Sequence, residues 1–332
     1  MNFTVTNSSL ATFRSCPRKY ALAYSLQLVP TELAEALDVG SCWHKLFELD
    51  PELHFRDWLY ENAPSELWAE KLWRLWLGYQ SYWRDGRGPD FDVTEVEVQF
   101  RLPVTLMGGV FRGMFDARIR MADGRTGILE RKTTGDDISP ESSYWDRLRL
   151  DTQVGAYGEA EGRPDVILYD VVRKPTIRPK AILKADKMKI LQAIQEGDRG
   201  IYFGEIIDAE DLAAGLETGK ETLIMYGARL AKDIDENPEK YFARRPIGRT
   251  SEDYDLLQRD FTDQLLAVRD LEASLVEGTR RRAYRNPNAC DQYGRCQFFG
   301  ICSQNLFPEN GDPPPQGFVR RAHRPPELDG DD

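Results

Sequence analysis

Asp116, Glu130 and Lys132 are residues of this chain whose types and spacing could do hydrolytic chemistry. Glu130 and Lys132 stand two apart in GILERKTTG (127–135), after an apolar start that reads as a strand. Alternation puts Ile128, Glu130 and Lys132 on one face and Leu129 and Arg131 on the other. In an antiparallel pair, Asp116 of FRGMFDARI (111–119) can lie across from Glu130, and two such carboxylates can share one divalent cation. A lysine pointing the same way can orient or deprotonate water and offset phosphate charge. Taken alone, the Glu-x-Lys pair is also what an ordinary ion pair at a sheet edge looks like.

Other residues extend this set. Gln153 and Tyr157 of DTQVGAYGEA (151–160) are four apart and share one helical face. An amide and a phenol there can hydrogen-bond a phosphate or base, although each alone also fits a packing role. His44 lies in GSCWHKLFE (40–48), and an imidazole joining two carboxylates favours manganese beside magnesium. Of the five cysteines, Cys290, Cys296 and Cys302 recur with five residues between them in CDQYGRCQFFGIC. That is not the paired two-residue spacing of a zinc ribbon. Three cysteines cannot complete a four-cysteine iron–sulfur site, and Cys16 in FRSCPRKY is the candidate fourth, clasping the two ends of the chain together. Cys42 reads as a buried thiol.

These residues need elements to hold them. Thr6-Asn7-Ser8-Ser9 is a helix-start cluster, and Pro17 breaks or offsets the helix that follows. A second helix is expected from about Val39 to Leu49, carrying His44. A long amphipathic helix from Ser65 to Trp83 has Trp68, Leu72, Trp76, Tyr79 and Trp83 as its core-facing stripe. The period then changes to two in DVTEVEVQFRL (92–102) and GVFRGMFDARIRM (109–121). Met107-Gly108-Gly109 and Asp123-Gly124 are turn signals, so residues 92–132 should form a three-stranded antiparallel meander. One helix from about Arg147 to Glu161 should carry Gln153 and Tyr157, followed by a buried strand (165–174) ended by Pro175. The remainder to Glu277 has a mostly helical pattern, interrupted by ENPEKYFARRPIGR (236–249).

The 332 residues, 41% hydrophobic and 30% charged, describe a soluble globular protein. No apolar run approaches membrane-spanning length and the N-terminus lacks signal-peptide features, so a cytoplasmic protein is expected. A net charge of −11 excludes a uniformly basic nucleic-acid coat but not a local basic groove. The organisation expected is a single domain over 1–307. It has a helical insertion at about 180–280, a cysteine segment at 285–305 and a flexible tail at 308–332.

In order, SSLATFRSCPRKYALAY, GSCWHKLFE, FRGMFDARI, GILERKTTG, DTQVGAYGEA and the cysteine triplet resemble the PD-(D/E)XK nuclease superfamily. The branch they resemble is the RecB-type nucleases with an iron–sulfur cluster, which includes the AddB nuclease domain and the CRISPR-adaptation exonucleases. LYDVVRKPTIRPK (168–180) looks like phage or prophage members. The likeness spans about residues 6–305. It implies an α/β (α+β), restriction-endonuclease-like core with a central mixed sheet flanked by helices. It also implies His44, Asp116, Glu130 and the Arg131 carbonyl as ligands of Mg2+ or Mn2+, with Lys132 as the catalytic lysine. Gln153 and Tyr157 match the Q-x-x-x-Y motif, and Cys16, Cys290, Cys296 and Cys302 match the ligands of a 4Fe-4S cluster. The final cysteines depart from better-known members, which have a two-residue gap first. The activity implied is a DNA exonuclease on single-stranded or frayed ends. The chain has no G-x-x-x-x-G-K-[ST] motif, so unwinding would need a helicase or recombination partner. The alternative from another class is a non-catalytic DNA- or protein-binding module that keeps the nuclease fold.

Overall fold

Alternating apolar segments between Phe91 and Thr134 form the centre of the molecule. The computed structural model describes residues 4–31, 39–50, 52–84, 86–88, 90–104, 109–292, 294–309 and 311–321. From the N-terminus come β1 (Thr4–Val5), α1 (Asn7–Ser15), α2 (Pro17–Tyr20), a π-helical turn (Ala21–Ser25), β2 (Leu28–Pro30), α3 (Val39–Lys45), α4 (Phe55–Asn62) and α5 (Glu66–Arg84). The middle holds β3 (Phe91–Val104), β4 (Gly109–Met121), β5 (Thr126–Thr134), α6 (Ser143–Arg149), α7 (Thr152–Ala160) and β6 (Val166–Arg173). Then follow α8 (Lys184–Glu196), β7 (Arg199–Tyr202), β8 (Glu205–Asp208), α9 (Ala209–Thr218), α10 (Leu223–Glu236), β9 (Phe242–Pro246), α11 (Ser251–Val276), α12 (Phe299–Ser303) and β10 (Phe318–Arg320).

Among the described residues, six strands form the main sheet, in the order β1-β4-β5-β6-β9 with β3 paired to β4. The meander β3-β4-β5 is antiparallel, as alternation predicts, while β5 and β6 run parallel through a crossover containing α6 and α7. β3 occupies one edge of β4 along its length, so β1 and β5 share the other edge end to end. β1 pairs at Val110 and Phe111, and β5 pairs from Ala117 onward. The stretch of β4 between them, ending at Asp116, has its edge unclaimed by either strand. Helices cover both faces of this mixed sheet, giving the expected α+β core. Ile128, Ile167, Tyr169 and Val171 pack with α6 and α7 through Trp145, Leu148, Val154 and Tyr157. On the opposite face Val172 joins Trp43, Leu72, Trp76, Tyr79, Tyr226 and Phe242.

Several expectations need correction. The single helix over Arg147–Glu161 is two helices, because Leu150 ends α6 and the Asp151 carboxylate caps α7 by accepting the Gln153 N–H at 2.9 Å. The segment with helical pattern also holds the β7–β8 hairpin, and β9 joins the main sheet within ENPEKYFARRPIGR. The expected flexible tail carries β10, whose backbone pairs antiparallel with β2. The helix bearing His44 stops at Lys45 and continues to Leu49 as turns. Met107-Gly108 lies outside the described residues. Among those residues no helix is long and apolar enough to cross a membrane.

Candidate active site

Asp116 stands where the β4–β5 ladder stops. The last bonded pair is Ala117 with Leu129, so Asp116 and Glu130 are the next residues, across from each other but without a ladder bond. The Asp116 side chain replaces it: Oδ2 accepts the Arg131 N–H at 2.5 Å. Oδ1 meets Nδ1 of His44 at 3.0 Å, bringing the end of α3 onto the strand. Burial works to raise the Asp116 carboxyl, but His44 and the Arg131 N–H hold it below its usual range. For His44, burial opposes the charged imidazole, yet the bond and charge of Asp116 outweigh it and raise its pKa.

Glu130 faces the other way from Arg131, as strand alternation requires. It is 4% exposed, and Oε1 accepts from Lys132 Nζ at 2.7 Å. The same amine donates to Gln153 Oε1 at 2.8 Å, and Gln153 Nε2 donates to the Tyr157 hydroxyl at 2.5 Å. Gln153 and Tyr157 therefore meet on one face of α7. Tyr157 is buried between Phe100 and Phe115, and Gly113 leaves room for this packing, since a Cβ there would lie 2.4 Å from the Phe100 ring. Burial, with repulsion from Asp116 and Asp151, pushes the Glu130 carboxyl up to about 7 against the pull of Lys132. Burial also opposes the Lys132 ammonium, but Glu130 and Asp151 outweigh it and raise its pKa.

Among the described residues, no three His, Cys, Asp or Glu side chains close to a metal-holding arrangement. Asp116 is turned to His44 and the Arg131 N–H, and Glu130 is turned to Lys132. The donor set, one imidazole nitrogen and carboxylate oxygens, suits magnesium or manganese. Two carboxylates beside this set were not singled out from the sequence. Asp151, which caps α7, has Oδ2 4.0 Å from Lys132 Nζ. Its position just before the α7 pattern was the available signal. Glu97 occupies the β3 position opposite Asp116, between the paired residues Val96 and Val98, with φ +51°. Burial and the charges of Glu48 and Asp116 raise its carboxyl, and nothing in its local sequence marks it out.

The cysteines lie on the two chain ends, away from this site, and among the described residues they too form no metal-holding group. Cys16 lies at the break between α1 and α2, Cys302 lies on α12, and the Cys296 N–H donates to the Cys290 carbonyl at 2.7 Å. Burial raises the Cys302 thiol, Arg18 opposes, and the charges of Cys16, Cys296 and Cys290 add to the rise. Cys290 behaves alike, with burial first and then Cys296 and Cys16. The two chain ends are also pinned by Asn286 Nδ2 to the Ser15 carbonyl at 2.7 Å and Arg18 Nε to the Ala283 carbonyl at 3.0 Å. Cys42 is fully buried in the α3–α5 core, with Sγ 3.8 Å from the Asn62 carbonyl. Arg14, Arg173, Arg280 and Arg282, cations of the kind that could meet a phosphate backbone, have partners within the chain: Gln264, Asp137, Glu309 and Asp270 in turn.

No curated protein matches the chain. Among solved structures, the crystal structure of SSO0001 is similar at 15% identity over 50% of this chain and 71% of that one. Its TM-score is 0.21, a global likeness too slight to transfer anything to this chain. The family comparison is decisive: the profile of the PD-(D/E)XK nuclease superfamily matches residues 4–303, and the chain belongs to that superfamily.

Proposed function

We propose that this chain is a metal-dependent deoxyribonuclease of the RecB-type branch, acting as an exonuclease on single-stranded or frayed DNA ends. The superfamily consists of phosphodiester hydrolases that use Mg2+ or Mn2+. The observation that carries the reading is the Lys132 amine, tied at once to Glu130 and Gln153 beside the Asp116–His44 pair. His44, Asp116, Glu130 and the Arg131 carbonyl would hold the ion, which when bound supplies Lewis acidity and an activated water at neutral pH. A divalent charge near Glu130 would also reverse the rise in its pKa, so the buried carboxyl fits that role.

The chain's own groups do the positioning. Gln153, oriented by Tyr157, holds Lys132 so that its ammonium can orient the attacking water and offset charge building on the phosphate. The Arg131 N–H fixes one Asp116 oxygen, leaving His44 to set the other. Cys16, Cys290, Cys296 and Cys302 would ligate a 4Fe-4S cluster, because four thiolates are the number and type of donor such a cluster takes and the Asn286–Ser15 and Arg18–Ala283 bonds bring the two chain ends together. The cluster would be structural, since phosphodiester hydrolysis transfers no electrons. Unwinding would come from a helicase or recombination partner.

The test is end-labelled single-stranded DNA with Mn2+, beside a closed circular strand. Linear DNA should shorten from its end and the circle should persist. Cutting of the circle would refute the exonuclease assignment. Wild-type cleavage by Glu130→Ala would refute the site.

A further inference from the structure

The Arg131 side chain sits in surroundings that call for an apolar residue. Its neighbours along β5 on that face are Leu129 and Thr133, and those two pair with Leu168 and Val172 of β6. Arg131 is 8% exposed, and its Nε has no hydrogen-bond partner among the described residues. Its register partner Asp170 is engaged through Oδ2, which accepts from the Tyr79 hydroxyl and lies 3.1 Å from Arg244 Nε, while Asp170 Oδ1 is buried with no hydrogen-bond partner from Arg131 or any other described residue. What the Arg131 guanidinium does have is the ring of Phe47, 4.0 Å below it. Burying a charge is costly, so a leucine here would be cheaper for stability alone.

Phe47 connects this contact to the site. Its N–H donates to the His44 carbonyl at 3.0 Å, and its ring is enclosed edge-on by Trp43, Trp76 and Tyr79. Arg131 thus reaches both halves of the His44–Asp116 pair: its N–H holds Asp116, and its guanidinium holds the turn that follows His44. We infer that the Arg131 side chain is a positioning residue, locking the end of α3 onto the catalytic strand through Phe47 and so setting His44 against Asp116. The consequence for metal affinity rests on the reading of His44 and Asp116 as ligands; the clamp itself does not.

Three full-length variants test it: Arg131→Leu, Arg131→Lys and Phe47→Leu. In metal-free protein, hydrogen exchange of the amides over residues 44–49 should quicken about tenfold in Arg131→Leu and Phe47→Leu, beyond any change in the amides of the rest of the sheet. Free Mn2+ measured by electron paramagnetic resonance should show affinity reduced by about 10-fold or more in both, the range for groups that orient metal ligands. Arg131→Lys should fall between, because an ammonium keeps the cation–π attraction but not the planar stack. Unchanged exchange in Arg131→Leu would overturn the clamp, as would losses that only follow a lower thermal midpoint. Loss in Arg131→Leu but not in Phe47→Leu would also overturn it, since the effect would then run through charge alone. A wild type that binds no Mn2+ would refute the metal reading instead, and the exchange measurement would still decide the clamp.

Discussion

Glu130 and Glu221 are both buried carboxylates beside a cation, yet their surroundings push them in opposite directions. Glu221 accepts four hydrogen bonds: Arg229 Nε at 2.5 Å, Arg229 Nη2 at 2.7 Å, the Tyr202 hydroxyl at 3.0 Å and the Lys180 N–H at 2.9 Å. Burial would raise its pKa, but these donors outweigh burial and lower it. Glu130 has the Lys132 amine at 2.7 Å and two repelling neighbours, Asp116 and Asp151, and rises to about 7. Glu221 has its charge balanced by the fold and ties together β7, α10 and the segment at Lys180 that precedes α8. Glu130 is held in place but left short of positive charge. A carboxylate in that state suits a cation better than it suits the fold.

The largest effects should separate the two carboxylates completely. Glu130→Ala and Asp116→Ala should reduce Mn2+-dependent DNA cleavage to background, the first with a urea midpoint near wild type and the second with about 1–2 kcal/mol less stability for the Arg131 N–H and His44 bonds it loses. Lys132→Ala should lose about 10²–10³-fold in rate with DNA binding retained, the scale for removing one group that stabilises the reacting phosphate. Glu221→Ala should do the reverse. It strands Arg229 and costs about 3 kcal/mol of stability, with cleavage per folded molecule unchanged. Chelation by EDTA should mimic the Glu130 variant, Mn2+ should restore activity, and Ca2+ should bind without turnover. Activity surviving exhaustive chelation would end the comparison as drawn.

The cysteines offer a second contrast, between Cys16 and Cys42. Anaerobically purified protein should be brown with broad visible absorbance. Cys16→Ser should bleach it and lower its thermal midpoint, because the cluster would join the chain ends and its binding would be coupled to folding. Cys42→Ser should keep the colour, since Cys42 lies in the core among Trp43 and Leu72. A colourless wild type containing stoichiometric zinc would replace the cluster with a zinc site. A bleached Cys42 variant beside a brown Cys16 variant would reassign the fourth ligand.

What could be read from sequence was what short-range pattern encodes. Period-two alternation located β3, β4 and β5, and it placed Glu130 and Lys132 on one face, where their side chains meet. Spacing of four put Gln153 and Tyr157 together on α7. The split at Leu150 was hidden because the apolar pattern continues across it, although an Asp in the capping position was there to be read. The β7–β8 hairpin was missed because its two-residue turn is Phe203-Gly204. Both residues have positive φ, at +49° and +91°, a geometry more often announced by Asn-Gly. β10 lies in a proline-rich stretch, and only its distant partner β2 makes it a strand. Glu97 and the contact of Arg131 with Phe47 depend on which strands and helices meet, and no local window carries that.

The smallest effect is a change in how stability depends on pH, and it distinguishes the two carboxylates without any activity assay. In metal-free protein the folded state keeps the Glu130 proton up to about 7, while an unfolded chain loses it near 4.5. Stability must therefore fall as pH rises through that window, by about 3 kcal/mol at most, since one pKa unit is about 1.4 kcal/mol. Glu130→Gln should remove this fall, so its melting advantage over wild type should grow between pH 4.5 and 7. Glu221 has the opposite sign: its stabilisation is present above its unfolded pKa of 4.5 and is lost as pH drops through its lower folded value. Glu221→Gln should therefore cost most near neutrality and least in acid. Saturating Mn2+ should flatten the wild-type slope, because the ion binds the deprotonated carboxylate and stabilises it more as pH rises. Identical pH profiles for wild type and Glu130→Gln, with or without Mn2+, would mean that Glu130 is an ordinary ion-pair partner of Lys132.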